Sequence, residues 1–187
     1  MRPILVVAAT DRELVREGDW RSLCCGVGPV DAAAATAAAL ARERPAAVVH
    51  LGIAGARRAA GLAPLALVIG TEAIYCDLSV PERWAPHRII PDERLLAAAR
   101  RSLTAAVPRP IGTTGRVGQS SGCDVEAMEG FAVLRAAALA SVPALEVRVV
   151  SNEIEEADRG RWQFEEAFAT VRSVTPQLVR AAAACFA

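Results

Sequence analysis

The sequence contains no lysine; each of its 21 basic side chains is an arginine. Schiff-base catalysis and a phosphate-cradling P-loop lysine are therefore excluded. Histidine is limited to His50 and His87, far apart and without H-E-x-x-H spacing. The five cysteines (Cys24, Cys25, Cys76, Cys123 and Cys185) include no C-x-x-C pair. No metal site is expected from such a set, and an odd cysteine count suits a reducing compartment better than a disulfide framework. An excess of either charge is also missing: 21 Arg against 21 Asp+Glu leaves a formal net charge of zero. A generic nucleic-acid binder held by counterion release needs a basic excess, so that class is excluded. No apolar stretch reaches the roughly 18 residues of a membrane span without a charge or a turn. The chain also starts directly in a strand-like run, so neither a membrane segment nor a signal peptide is expected, and the protein is read as cytoplasmic.

What is present is apolar bulk. Of 187 residues, 53% are hydrophobic, enough for the core of one domain spanning the chain, and far from the composition of a disordered segment. The high alanine content and the use of Arg in place of Lys read most simply as base composition of the source genome.

Short apolar runs alternate with helix-like stretches. Pro3–Ala9, Ser22–Cys25, Ala46–Leu51, Leu65–Ile69 continuing towards Tyr75, Pro110–Thr114 and Ala144–Ser151 are predicted strands. Asp11–Glu17, Val30–Arg44 after Pro29, Asp92–Ala106 with Asp92 as cap, Val125–Ala140 and Arg161–Phe186, kinked at Thr175-Pro176, are predicted helices. Cys76–Pro91, a Gly/Ser-rich stretch ending at Gly122, and Asn152–Gly160 are predicted loops. This order implies an α/β fold of three layers (α/β/α), with a central, mostly parallel mixed sheet and helices on both faces. Ligands in such sheets sit outside the carboxyl ends of the strands, so unusual polar residues just after strands are site candidates.

Gly26-Val27-Gly28 opens a helix after a strand, but Asp31 stands where a dinucleotide fingerprint needs its third glycine; a tight turn is the plainer reading. Gly52-Ile53-Ala54-Gly55 follows a buried strand, and its small residues would let a flat ligand approach the backbone. In Asp124–Ala132, acidic residues at a helix start can simply complement the macrodipole. Met128-Glu129 there could equally place a carboxylate on sugar hydroxyls with a flexible thioether beside it. Glu146 and Arg148, two apart in a strand, face the same way and must be matched or point into a site. Ser151-Asn152 ends that strand; an Asn amide both donates and accepts, which suits the N7/O6 edge of a 6-oxopurine, although a turn role is open to it. Glu13 is either an exposed carboxylate or one of several converging acids.

Taken together, Val6–Leu14, Gly26–Ala34, Gly52–Ala56 and Met128-Glu129 resemble the purine nucleoside phosphorylase/methylthioadenosine nucleosidase superfamily. Glu72–Leu78, Val125–Ala132 and Leu145–Trp162 are most similar to its futalosine-hydrolysing branch, which serves the alternative menaquinone route. The resemblance covers nearly the whole chain. It implies a homodimeric hydrolase, without cofactor, that cleaves the N-ribosidic bond of a small-molecule purine nucleoside, futalosine yielding hypoxanthine and dehypoxanthine futalosine. Methylthioadenosine/S-adenosylhomocysteine nucleosidase or phosphorylase activity is the enzymatic alternative, and a non-catalytic nucleoside binder the alternative of another class. By position, Glu13 matches the carboxylate that activates water, Glu129 the ribose-binding residue and Met128 the residue lying against the ribose. Asn152, with Ser151 and Arg148, matches the base-recognition position; the adenine-cleaving relatives have Asp there. Val27, Ile53, Ala54 and Gly55 match the pocket wall, and Trp162 and Phe164 a lid over the base. The resemblance also implies that the Cys76–Pro91 loop, with Trp84 and His87, reaches the neighbouring subunit's pocket. Relative to the superfamily the chain is short between Glu13 and Gly26 and around Arg116–Asp124.

Overall fold

Buried runs of valine, leucine and isoleucine become the inner strands of the sheet, and alanine-rich stretches become the helices laid on it. In the computed structural model, which describes residues 2–117 and 122–187, the order is β1 (Ile4–Ala8), β2 (Trp20–Cys24), α1 (Pro29–Arg42), β3 (Ala47–Ala56), β4 (Leu67–Tyr75), β5 (Arg88–Ile89), α2 (Glu93–Ser102), β6 (Val107–Thr113), β7 (Val125–Ala127), α3 (Gly130–Leu139), β8 (Ala144–Glu153) and α4 (Phe164–Ala183). Asp92 caps α2 as its sequence position predicts, its carboxylate accepting from the N–H groups of Arg94 and Leu95.

The sheet is mixed and mostly parallel. β1 pairs in parallel with β2 and β3, β3 with β8, β4 with β6 and β6 with β7. β3–β7, β4–β5 and β4–β8 are antiparallel. Because β8 pairs with both β3 and β4, the path β3–β8–β4–β6–β7 returns to β3 and closes a ring. Small side chains from each ring strand fill its interior: Ala54, Val68, Ile111, Ala127 and Val150 belong to one core cluster. Outside the ring, strand alternation feeds two further cores. Ile4, Val6, Leu145, Val147 and Val149 face α2 and α4, while Leu5, Val7 and Val48 face α1 and α3.

Five sequence expectations change, the first being that the predicted Cys76–Pro91 loop contains strand β5, paired with β4. Asp11–Glu17 is a turn, not a helix: Glu13 and Leu14 bond back to the carbonyls of Thr10 and Asp11. The Glu13 carboxylate is meanwhile drawn inward onto Thr10, so the single turn does not propagate. Val125–Ala140 divides into strand β7 and helix α3, because residues 125–127 find ladder partners on β3 and β6, and long-range pairing overrides the local helical pattern. Gly52–Gly55 and Asn152 lie within strands β3 and β8, not in loops. The last helix starts at Phe164, after a single 3₁₀ turn at Arg159–Arg161, and runs through Pro176. The predicted loop ending at Gly122 falls partly outside the described residues. No helix among the described residues is long and apolar enough to cross a membrane.

Candidate active site

Separate crossings of the chain deliver acidic side chains to the carboxyl-end rim of β1, β3 and β8. Glu13 arrives on the turn after β1, Glu129 immediately before α3, and Arg148 and Asn152 along β8. All four line one cavity of about 260 Å³. The structure brings the remaining sequence candidates to the same cavity. Val27, Ile53, Ala54 and Gly55 form one stretch of wall, Met128 and Ser151 lie with the polar groups, and Trp162 and Phe164 close another side.

The polar floor is a network of buried charges. Arg148 is fully buried and its donors are spread over four acceptors. Nε donates to Glu146 Oε1 at 2.7 Å, Nη2 to His50 Nε2 at 2.5 Å and to Glu129 Oε2 at 3.3 Å, and Nη1 to the Ile53 carbonyl at 3.3 Å. The alternatives for the Glu146/Arg148 pair thus both hold: the two match each other, and Arg148 also reaches the cavity. His50 Nδ1 lies 3.0 Å from the Val7 carbonyl, which can only accept, so the proton sits on Nδ1 and Nε2 accepts from Arg148. The imidazole is therefore neutral, and its pKa lies well below the ordinary 6.5 because burial disfavours its charged form and Arg148 repels it.

Glu129 Oε1 accepts from the Gly28 N–H at 3.1 Å while Oε2 takes Arg148, which fixes the carboxylate across the cavity floor. Glu13 Oε2 accepts from Thr10 N–H at 2.9 Å and Thr10 Oγ1 at 2.8 Å, and Oε1 from Ile53 N–H at 3.2 Å. Burial nevertheless raises the Glu13 pKa; Arg148 and the Thr10 bonds oppose this and the nearby Glu129 adds to it. Gly52 makes this approach of acid and base possible, since a Cβ there would collide with Arg148 Nη1 and stand 2.9 Å from Glu13 Oε1. Cys25 beside the site is no nucleophile: burial, then Glu129, pushes its thiol up to about 12.

At the other end, Asn152 Oδ1 accepts from the Ser151 hydroxyl at 2.8 Å, and Nδ2 donates one hydrogen to the Glu153 carbonyl at 3.0 Å. The second Nδ2 hydrogen remains for a ligand. The aromatic side is a run of Trp162, Phe164 and Phe168, with ring centroids 5.4 and 6.2 Å apart. Phe168 also lines the cavity and was not singled out by sequence, although its i,i+4 spacing from Phe164 carried the signal. Thr10, Thr114, Glu126 and Arg116 line it as well. Arg57 and Arg58 do not: Arg57 Nε donates to the Cys123 carbonyl, and Arg58 pairs with Glu153 at 2.8 Å. Among the described residues no group of three or more His, Cys, Asp or Glu is placed to hold a metal ion.

The sequence model of the phosphorylase superfamily matches residues 17–186. The chain belongs to the phosphorylase superfamily. Within this superfamily it is 34% identical over 189 residues to a futalosine hydrolase of Streptomyces coelicolor, covering 85% of this chain and 78% of that one. Solved superfamily structures share its fold. A methylthioadenosine/S-adenosylhomocysteine nucleosidase from Colwellia psychrerythraea in complex with adenine superposes with a TM-score of 0.81 at 21% identity, over 98% of this chain and 95% of that one. A futalosine hydrolase from Helicobacter pylori superposes with a TM-score of 0.83 at 15% identity, over 96% and 97% respectively.

Proposed function

We propose that the protein is an N-glycosyl hydrolase that cleaves the N-ribosidic bond of a purine nucleoside, with futalosine as substrate and hypoxanthine as the released base. One observation carries this reading: two buried carboxylates, Glu13 and Glu129, and a neutral amide, Asn152, reach a single cavity from three separate parts of the chain. The similarity to the Streptomyces coelicolor futalosine hydrolase supports it.

Departure of the base builds positive charge on the ribose and negative charge on the purine. Glu129, held by Gly28 and Arg148, accepts hydrogen bonds from the ribose hydroxyls and stabilises the oxocarbenium-like sugar. Met128 lies against the ribose. Glu13 takes the proton of the water attacking C1′, a step worth about 10²–10⁴-fold. Asn152 has no proton to give. It donates a hydrogen bond to the leaving base, whose negative charge delocalises onto O6, so a 6-oxopurine leaves without the acid that an adenine needs. Water is taken as the acceptor in place of phosphate: Arg57 and Arg58 are committed outside the cavity, Arg116 and Arg159 line it, and the phosphate arm of the assay below reads which acceptor is used.

The protein acts in the cytoplasm as a homodimer. Val27 and Val117 line the cavity yet stay 56% and 46% exposed, and Trp84 on the β4–β5 connection is also exposed. A second copy covering this apolar rim would complete the wall, and sedimentation reads the dimer directly. Incubation with futalosine, inosine and methylthioadenosine, with and without phosphate, tests the activity by the base released. Phosphate-independent release of hypoxanthine from futalosine is expected; exclusive release of adenine, or full turnover by Glu129→Gln, refutes the assignment.

A further inference from the structure

We propose that Glu146 is a positioning residue of the reaction: from behind Arg148 it cancels the guanidinium charge, so that Glu129 meets the developing sugar cation as an anion; the inference rests on the nucleosidase reading. Glu146 is 1% exposed and does not line the cavity. It stands in register with His50 across β8 and β3, and Arg148 follows two residues later on the same face. The Glu146 and His50 bonds hold the guanidinium plane, and the Nη2 that donates to His50 is thereby also directed at Glu129. Oε1 of Glu146 takes the Arg148 Nε bond, while Oε2 has no hydrogen-bond partner among the described residues. The carboxylate lies against the start of α3, where a Cβ on Gly130 would collide with both of its oxygens. Gly130 opens α3 directly after Glu129, so the carboxylate fills the place of the side chain that the helix lacks there.

The reaction creates positive charge on a sugar that rests on Glu129. Arg148 holds Glu129 in place, yet its own charge, 3.3 Å from that carboxylate, opposes the cation. The positive end of the α3 macrodipole acts in the same direction. Arg148 and Glu129 alone would present a neutral pair. With Glu146 bonded to Nε at 2.7 Å, one cation faces two anions, and the neutral His50 adds no charge. The surplus negative charge favours the transition state over the uncharged nucleoside, which is differential binding. A buried carboxylate oxygen without a donor costs stability, so fold stability by itself gives no reason for the anion.

Turnover of futalosine by the full chain and its Glu146→Gln and Glu146→Asp variants tests the assignment, with folding checked by circular dichroism. Calorimetric titration with two uncleavable nucleosides accompanies it. One is neutral 9-deazainosine; the other is its pyrrolidine analogue, whose ring nitrogen carries a positive charge in place of the ribose oxygen. Wild-type protein is expected to bind the cationic analogue on the order of 10²-fold tighter than the neutral one. With the sugar on Glu129 and the guanidinium between, the Glu146 charge lies roughly 8–10 Å from the sugar, and at an effective dielectric of about 20 its removal should slow the chemical step roughly 10–30-fold. Glu146→Gln keeps the size and an acceptor for Arg148. It should lose that factor in kcat while KM stays within a few-fold, the mark of an interaction made only in the transition state. It should lose affinity for the cationic analogue by a similar factor and bind 9-deazainosine within a few-fold of wild type. Glu146→Asp, which keeps the charge, should retain most of the preference for the cation. If folded Glu146→Gln keeps the wild-type kcat, or loses both nucleosides equally, while wild-type protein cleaves futalosine, this inference is overturned and the nucleosidase reading stands. Equal binding of the two nucleosides by wild-type protein overturns it without any variant. If wild-type protein releases no base from any purine nucleoside, the nucleosidase reading falls and takes this inference with it.

Discussion

Replacing Arg148 with methionine isolates the energetic consequence of gathering acids in an apolar interior. The guanidinium is 1% exposed and is the cation bonded to Glu146 at 2.7 Å and to Glu129 at 3.3 Å, with Glu13 close enough to feel it. Methionine fills similar volume but leaves Glu146, itself 1% exposed, without a counter-charge, and leaves His50 Nε2 without a donor. One Glu146 oxygen already lacks a hydrogen bond, so no spare donor compensates. Breaking a buried pair from one side costs about 3–5 kcal/mol. For a chain of this length each kcal/mol lowers the melting temperature by roughly 2–4 °C, so Arg148→Met should melt about 6–20 °C below wild type. Urea unfolding at neutral pH should show the same loss as a lower midpoint at unchanged slope. Adding Glu146→Leu removes the stranded charge, so the double variant should be more stable than Arg148→Met alone despite carrying two changes. Because the pair is buried, moderate salt should alter these differences little. Stability of Arg148→Met within about 1 kcal/mol of wild type, or a double variant worse than the sum of the singles, would show that the network carries no such electrostatic load.

Three further outcomes follow from two residues of the same network. Burial raises the Glu13 pKa, so the acid limb of kcat/KM should lie above the ordinary 4.5 and be absent from the residual activity of Glu13→Gln. Linkage gives the matching stability effect: a folded pKa above 4.5 means that ionising Glu13 costs stability as pH rises from there through the folded value. The stability difference should therefore move in favour of Glu13→Gln over that window, as chemical denaturation at several pH values will show. His50 runs the opposite way. It stays neutral in the fold while the unfolded chain takes up a proton near 6.5, so wild-type protein should lose stability as pH falls below that value. His50→Gln should lack that component of the loss, as melting temperatures at about pH 8 and about pH 5.5 will reveal.

The legibility of the site in the sequence depended on how local each signal was. Arg148, Ser151 and Asn152 stood out because charged and amide side chains interrupt an otherwise apolar strand. Glu129 stood out beside Met128 at a helix start. Glu126 carried no comparable mark: β7 is three residues long, shorter than any periodicity, and its identity as a strand depends on partners about 70 residues earlier on β3. The same distance in sequence hid the closed ring, because β8 bonds to two strands that no local pattern connects.

By itself the sequence determined the alternation of strands and helices, the absence of lysine chemistry, and the residue types available for a site, since propensity, capping and composition act over a few residues. The tertiary structure decided which acid sits beside which base, that Glu13 folds inward on a turn, and that His50 is held neutral beneath Arg148. Those outcomes are set by desolvation and by contacts between distant segments, which exist only once the chain has closed around them.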